Sequence, residues 1–401
     1  PIINIRSFGE DPEDVARLGV AWTRASQSNG MLATGKHFPG HGDTDIDSHS
    51  SLGKITGAIE ELMNIELYPF RESIQEADIA GIMTAHLWIP AYDEKPIPAT
   101  ISPRIMTGLL REEFGFEGVL YTDAMVMGGV AKEISFEESV VRAVEAGCDV
   151  ILMPGDVTKS HQVIIDAVKN GRIHEDRIDE SVRRILSDKT RANLHRERFV
   201  SIDRIDSVIG TKEKYEQARE IAHNTLTLVN EVPGTLPLDK DKSTAVIMMT
   251  NQVGKIMVWR DIYSFGDEVK KIKPDARVLF LGDDVTREER EQSMKAMKEC
   301  DQVIIALYPR IVIGRGNVAL NEEQKKLLKD LFDIRLPISI ISFGSPYVIS
   351  ELPEAPNYIC TYGNARAVQE ATAEALFYKK GFPGTLPITI MTSTGREISE
   401  D

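Results

Sequence analysis

The chain has 401 residues, with 47 Lys and Arg against 62 Asp and Glu, a formal charge of −15 and 42% apolar residues. At roughly 100 to 200 residues per domain, that is room for two or three packed cores. The acidic balance works against broad binding to nucleic-acid phosphates or anionic lipid, and no run approaches the roughly 18 to 20 apolar residues of a membrane-spanning helix.

The opening segment, PIINIRSFGEDP, has no Met and none of the basic and apolar regions of a signal peptide. The gene product is therefore expected to start upstream, and the compartment stays open. Cys148, Cys300 and Cys360 are odd in number and widely spaced. They read as small buried hydrophobes, forming neither a disulfide framework nor a zinc knuckle.

In chain order, short β-branched runs alternate with helical patterns, the signature of βαβ units and a parallel sheet. The strand candidates are Leu32–Phe38, Gly81–Leu87, Gly118–Asp123 and Asp149–Met153. Between them the helical candidates are Ile59–Ala77, Pro103–Phe114, and Phe136–Ala146 with Ser135 as its N-cap. Each strand runs into a polar loop, so the strand ends define one active face, as in open α/β sheets and (β/α)₈ barrels. A complete barrel takes about 250 residues, whereas the clear units end before Lys189. The expectation is the C-terminal half of a (β/α)₈ barrel over residues 1–198, apparently lacking its N-terminal strands.

Residues 199–216 are charged with few apolar periods and read as a linker. A second α/β domain is expected over 217–401, with strands Thr225–Val229, Ala245–Thr250, Arg277–Gly282, Gln302–Tyr308, Ile338–Phe343 and Tyr358–Tyr362, and helices Asn321–Phe332 and Ala365–Tyr378. The pattern suggests an open, mostly parallel sandwich. Little chemistry is offered there. The Ile313–Gly316 segment is not a dinucleotide fingerprint, and Ser345 sits in no nucleophile elbow, so both read as turns.

The densest loop is Lys36–His49, KHFPGHGDTDIDSH. A calcium loop starting at Asp43 would need Gly and Glu where Ser48 and Lys54 stand. A zinc site from His37, His41 and His49 is opposed by Pro39 and Gly40, which break any helix aligning the first two, and the general-base Glu is missing. No metal is assigned. What remains is acid/base and sugar-binding chemistry. Asp47 and His49, two apart, share one side of an extended segment, where the carboxylate can fix the imidazole tautomer and raise its pKa. Asp123 closes an apolar strand on the ligand face. It suits a nucleophile, and taken alone reads equally well as an N-cap or a partner for Arg111 or Lys36.

Together, GKHFPGHGDTDIDSH, the strand-end TDAM, LLREEFGFEGV, MTAHLWIPAYD and the opening IRSFGEDP resemble glycoside hydrolase family 3, nearest its β-N-acetylglucosaminidase branch. The resemblance is strong to about residue 205 and loose beyond. It implies a retaining hydrolase that releases terminal β-linked N-acetylglucosamine from peptidoglycan-derived (muropeptide) or chitin-type oligosaccharides through a covalent glycosyl-Asp intermediate. By the same resemblance Asp123 is the nucleophile, His49 the general acid/base and Asp47 its orienting partner. Arg6, Lys36 and His37 bind the sugar, His86 lines the pocket, and no cofactor is needed. The alternatives are a β-glucosidase-like member, which the DSH pair argues against, and an inactive carbohydrate-binding relative.

Overall fold

The computed structural model describes residues 3–42, 52–132, 134–250, 264–282, 285–309, 320–334 and 336–399. One compact unit extends to Val200 and a second begins at Ser201. Among the described residues, no helix is long and apolar enough to cross a membrane.

The first unit is built on three parallel strands, β1 (Thr34–Phe38), β2 (Gly81–Thr84) and β3 (Val119–Tyr121), with β2 in the middle. The β1–β2 register places Thr34 opposite Gly81 and Phe38 opposite Thr84. Phe38 is fully buried and meets the rings of Phe70 and Phe114 edge-on at 5.3 and 6.4 Å, a burial worth about 1.5–3 kcal/mol.

Three elements differ from their sequence expectations. Asp149–Met153 is not a ladder strand but makes a single parallel bridge, Tyr121 to Val150. Thr122 N–H donates to Val150 O, whereas Leu152 N–H turns to the Thr122 hydroxyl, so a side chain replaces the next backbone rung. The expected helix Ile59–Ala77 is two helices, Ile59–Asn64 and Tyr68–Ala77. Pro69 opens the second, and a proline inside a continuous helix would remove a hydrogen bond and clash with the preceding turn. The run Arg104–Glu113 is helical but wound as a π-helix, closing with Phe114 N–H on Leu109 O. The helix Phe136–Ala146 starts as expected, with the Ser135 hydroxyl accepting Glu138 N–H.

The base of this sheet is fixed by charge. The Asp149 side chain is fully buried, with Arg111 at 2.7 Å, Arg184 at 3.1 Å and Arg177 at 3.3 Å. Burial alone would raise its carboxyl. Arg111, the Ser181 hydroxyl, Leu120 N–H and Arg184 outweigh that and hold it below its ordinary value. Burial correspondingly lowers Arg111 to about 10, with Asp149 opposing the shift.

In the second unit, short helices Ile202–Arg204 and Ile205–Val208 and the helix Lys212–Asn224 occupy the segment around the expected linker. Six strands follow: β4 (Thr227–Asn230), β5 (Thr244–Thr250), β6 (Arg277–Leu281), β7 (Gln302–Tyr308), β8 (Ile338–Ser342) and β9 (Asn357–Cys360). Their order is β4-β9-β8-β7-β5-β6, parallel except for β4.

The continuous apolar runs reflect burial on both faces. Along β5, Ala245, Ile247 and Met249 enter one core while Val246 and Met248 enter the other. Asn321 caps the helix Glu322–Phe332 reciprocally with Gln324. Ser345 accepts Tyr347 N–H to start the short helix Pro346–Glu351, consistent with a turn role. The Ile313–Gly316 segment lies outside the described residues.

Candidate active site

The site lies where β1, β2 and β3 end. At the end of β1 the chain turns through Pro39 and Gly40, and Gly40 N–H closes the turn on His37 O at 2.8 Å. The Lys36–His37 and Phe38–Pro39 peptides are cis. Gly40 has φ +131°, and a Cβ there would lie 2.7 Å from Glu66 Cβ. Only glycine meets both demands, which gives one physical reason for the glycine in KHFPGHG.

This turn aims His37 at the end of β3. Its Nε2 stands 3.7 Å from Asp123 Oδ2, with the two side chains 11% and 21% exposed. His41, itself buried, meets the His37 ring edge-on at 5.7 Å. Burial lowers the His37 pKa from 6.5 to about 4; Asp123 pulls it up, and Lys36, His41 and Arg6 push it down. A neutral imidazole therefore faces the carboxylate, with two permanent cations close enough to be felt. Arg6 arrives on the short helix Asn4–Arg6, after which the helix Pro12–Ser28 is capped by Asp11.

Asp123 lies two residues past the end of β3. Its Oδ1 accepts the N–H of Ala124 at 2.7 Å, while Oδ2 faces His37. Asp123 N–H donates, at 3.4 Å, to the Thr84 hydroxyl at the end of β2.

His37 thus stands beside Asp123, and Lys36 and Arg6 lie near enough to influence the His37 ring. His86 is fully buried, with Nδ1 2.8 Å from the Thr100 hydroxyl and Nε2 3.1 Å from Ala124 O. The ring lies beneath the Asp123 loop because the chain leaves β2 at Ala85, whose N–H bonds Phe38 O. Thr84 and Thr100, both fully buried, were not singled out from sequence. Threonine signals nothing by type, and 16 residues separate the two. Asp47 and His49 lie outside the described residues, as do Asp43 and Asp45.

A carboxylate at a parallel-strand end beside a neutral imidazole, with cations nearby, is an arrangement that can support nucleophilic chemistry on the ligand face of the strands. Residues 1–187 match the family model for the glycosyl hydrolase family 3 N-terminal domain. A solved structure described as a glycoside hydrolase family 3 β-N-acetylglucosaminidase from Paenibacillus sp. str. FPU-7 superposes with TM-score 0.87 at 33% identity, over 97% of this chain and 73% of that one. The chain belongs to glycoside hydrolase family 3.

Among curated relatives, a β-N-acetylglucosaminidase/β-glucosidase of Cellulomonas fimi is 27% identical over 408 positions, covering 97% of this chain and 71% of that protein. A β-hexosaminidase A of Pseudoalteromonas piscicida is 32% identical over 271 positions, covering 63% of this chain and 45% of that protein.

Proposed function

We propose that the protein is a retaining β-N-acetylhexosaminidase that releases terminal β-linked N-acetylglucosamine from peptidoglycan-derived or chitin-type oligosaccharides. The observation that carries this reading is the partly buried Asp123 carboxylate at the end of β3, with neutral His37 at 3.7 Å and Lys36 and Arg6 close by. The names of the relatives support the choice of sugar. In this reading the first unit is part of a (β/α)₈ barrel and the second a mostly parallel sandwich.

Asp123 Oδ2 attacks the anomeric carbon as His49, oriented by Asp47, protonates the departing glycosidic oxygen. A glycosyl-Asp ester forms and the aglycone leaves. His49 then takes a proton from water, the water oxygen attacks the anomeric carbon, and the carboxylate departs, giving net retention. Lys36 and His37 hold sugar hydroxyls, and Arg6 lies toward the acetamido side. A histidine, with an ordinary pKa near ~6.5, can serve both half-reactions near neutrality with little tuning.

The test is hydrolysis of a chromogenic N-acetyl-β-glucosaminide in the presence of a chelator, with the product anomer followed by NMR. Release of the β-anomer first, abolished in Asp123→Asn, supports the reading. Release of the α-anomer, or turnover that survives in Asp123→Asn, overturns it.

A further inference from the structure

A chain of buried hydrogen bonds runs beneath the Asp123 loop. Thr84 Oγ1 lies 2.8 Å from Thr100 Oγ1, and Thr100 Oγ1 lies 2.8 Å from His86 Nδ1. The far side of the ring, Nε2, reaches Ala124 O at 3.1 Å, and at the near end Thr84 Oγ1 accepts Asp123 N–H. The start and finish of the chain are thus the N–H of Asp123 and the C=O of the next residue.

The proton directions follow from the groups themselves. A carbonyl can only accept, so His86 carries its proton on Nε2. Thr84 Oγ1 already accepts from Asp123 N–H, so its own proton goes to Thr100. Thr100 has a single hydroxyl proton and two acceptors in reach, His86 Nδ1 at 2.8 Å and Ala85 O at 3.1 Å. The shorter contact leaves the imidazole neutral, with every member donating and accepting. Thr84, His86 and Thr100 are all fully buried, so an unmet proton or lone pair here is costly.

We propose that Thr100, acting through Thr84 and His86, is a positioning residue for Asp123: the Thr84–Thr100–His86 relay clamps the Asp123–Ala124 segment at both ends and presents Oδ2 to the anomeric carbon. This rests on the assignment of Asp123 as nucleophile. Ala124 N–H engages Oδ1, so the relay, by fixing the backbone of Ala124, also decides which carboxylate oxygen attacks. Thr100 touches no substrate. Its contribution is to the approach geometry of the nucleophile, which is realised in the transition state and so is read in kcat.

The experiment compares Thr100→Val, which keeps the shape and removes the hydroxyl, with Thr100→Ser, which restores it. In Thr100→Val, kcat is expected to fall by about 10-fold to 100-fold while KM moves by less than about two-fold. Thr100→Ser recovers most of the loss. The second readout needs no substrate: ¹⁵N-histidine NMR of the full wild-type chain, assigned through the backbone, shows His86 as the Nε2–H tautomer, and Thr100→Val shifts its Nδ1 resonance.

A kcat for folded Thr100→Val within about two-fold of wild type, a Ser variant that recovers nothing, or an Nδ1–H tautomer in the wild type would each overturn the proposal. If wild type hydrolyses no glycoside, the functional reading fails, whereas the tautomer and its response to Thr100→Val still decide whether the relay exists.

Discussion

His37 Nε2 stands 3.7 Å from Asp123 Oδ2, and the imidazole is nevertheless held neutral down to about pH 4. An adjacent carboxylate ordinarily favours imidazolium, so burial and the flanking cations must outweigh it. A neutral ring can donate one hydrogen bond and accept another, which suits a sugar hydroxyl, and it leaves the carboxylate's charge undiminished for attack.

The sign of this balance is testable. In wild type the His37 titration followed by NMR is expected near 4, below its ordinary 6.5. Asp123 is the main group raising it, so Asp123→Asn is expected to lower the midpoint further. A rise would mean that the Asp123 carboxylate is not the group pulling the His37 pKa up. Between those pH values the unfolded chain binds a proton that the folded chain does not, so His37 contributes a loss of stability as pH falls from 6.5 towards 4.

Asp149 governs acid stability in a different window. Its carboxyl is held below the ordinary 3.8, so its contribution is fully present above that value and is lost as pH falls through the lower folded-state pKa. Asp149→Asn leaves Arg111, Arg177 and Arg184 around a neutral amide, and breaking a buried pair in this way costs about 3–5 kcal/mol. Denaturant unfolding at neutral pH measures that loss. Repeating it at acidic pH should show a smaller gap between variant and wild type. An equal gap at both values would remove Asp149 as the source.

Much of this was legible in the sequence because it depends on local signals. The apolar runs of β5 and β7, buried on both faces, and the Ser135 cap could be placed without coordinates. The strand-end position of Asp123 followed from the run before it. The relay was not legible, since Thr84, His86, Thr100 and Asp123 meet only once β2 and β3 pair and the segment to Thr100 folds back. A histidine after a strand looks the same in sequence whether it faces ligand or backbone, so the buried contacts of His86 could not be read there. Asp149–Met153 reads as a strand by composition, but a Thr122 side chain takes the place of a ladder partner, and composition does not record that competition.

The assignment of His49 predicts a dependence on leaving group. Protonation matters most when the departing oxygen is basic. His49→Ala is therefore expected to slow an alkyl N-acetylglucosaminide by about 10²-fold to 10⁴-fold, and to slow a dinitrophenyl glycoside, whose leaving group needs no proton, far less. Steady-state rates across a series of aryl glycosides give the slope of this dependence. Equal losses on both substrates, or an unchanged pH profile, would assign the proton transfer elsewhere.

The two glycines of the KHFPGHG turn should respond differently to the same added methyl group. At Gly40, φ is +131° and a Cβ would lie 2.7 Å from Glu66 Cβ and 3.3 Å from Glu66 Cα. Neither atom can swing away, because a Cβ is fixed by its own backbone, so relief requires the chain at Glu66 to move. Gly40→Ala is thus expected to cost about 1–3 kcal/mol of stability. Because Gly40 N–H closes the turn on His37 O, the substitution should also displace His37 and lower kcat/KM. At Gly42 a Cβ would meet nothing within 4 Å, so Gly42→Ala is expected to change stability by less than about 0.5 kcal/mol. Parallel thermal melts of the two variants decide the matter: similar melting points would show that the turn at Gly40 adapts, and that its glycine is not there for backbone reasons.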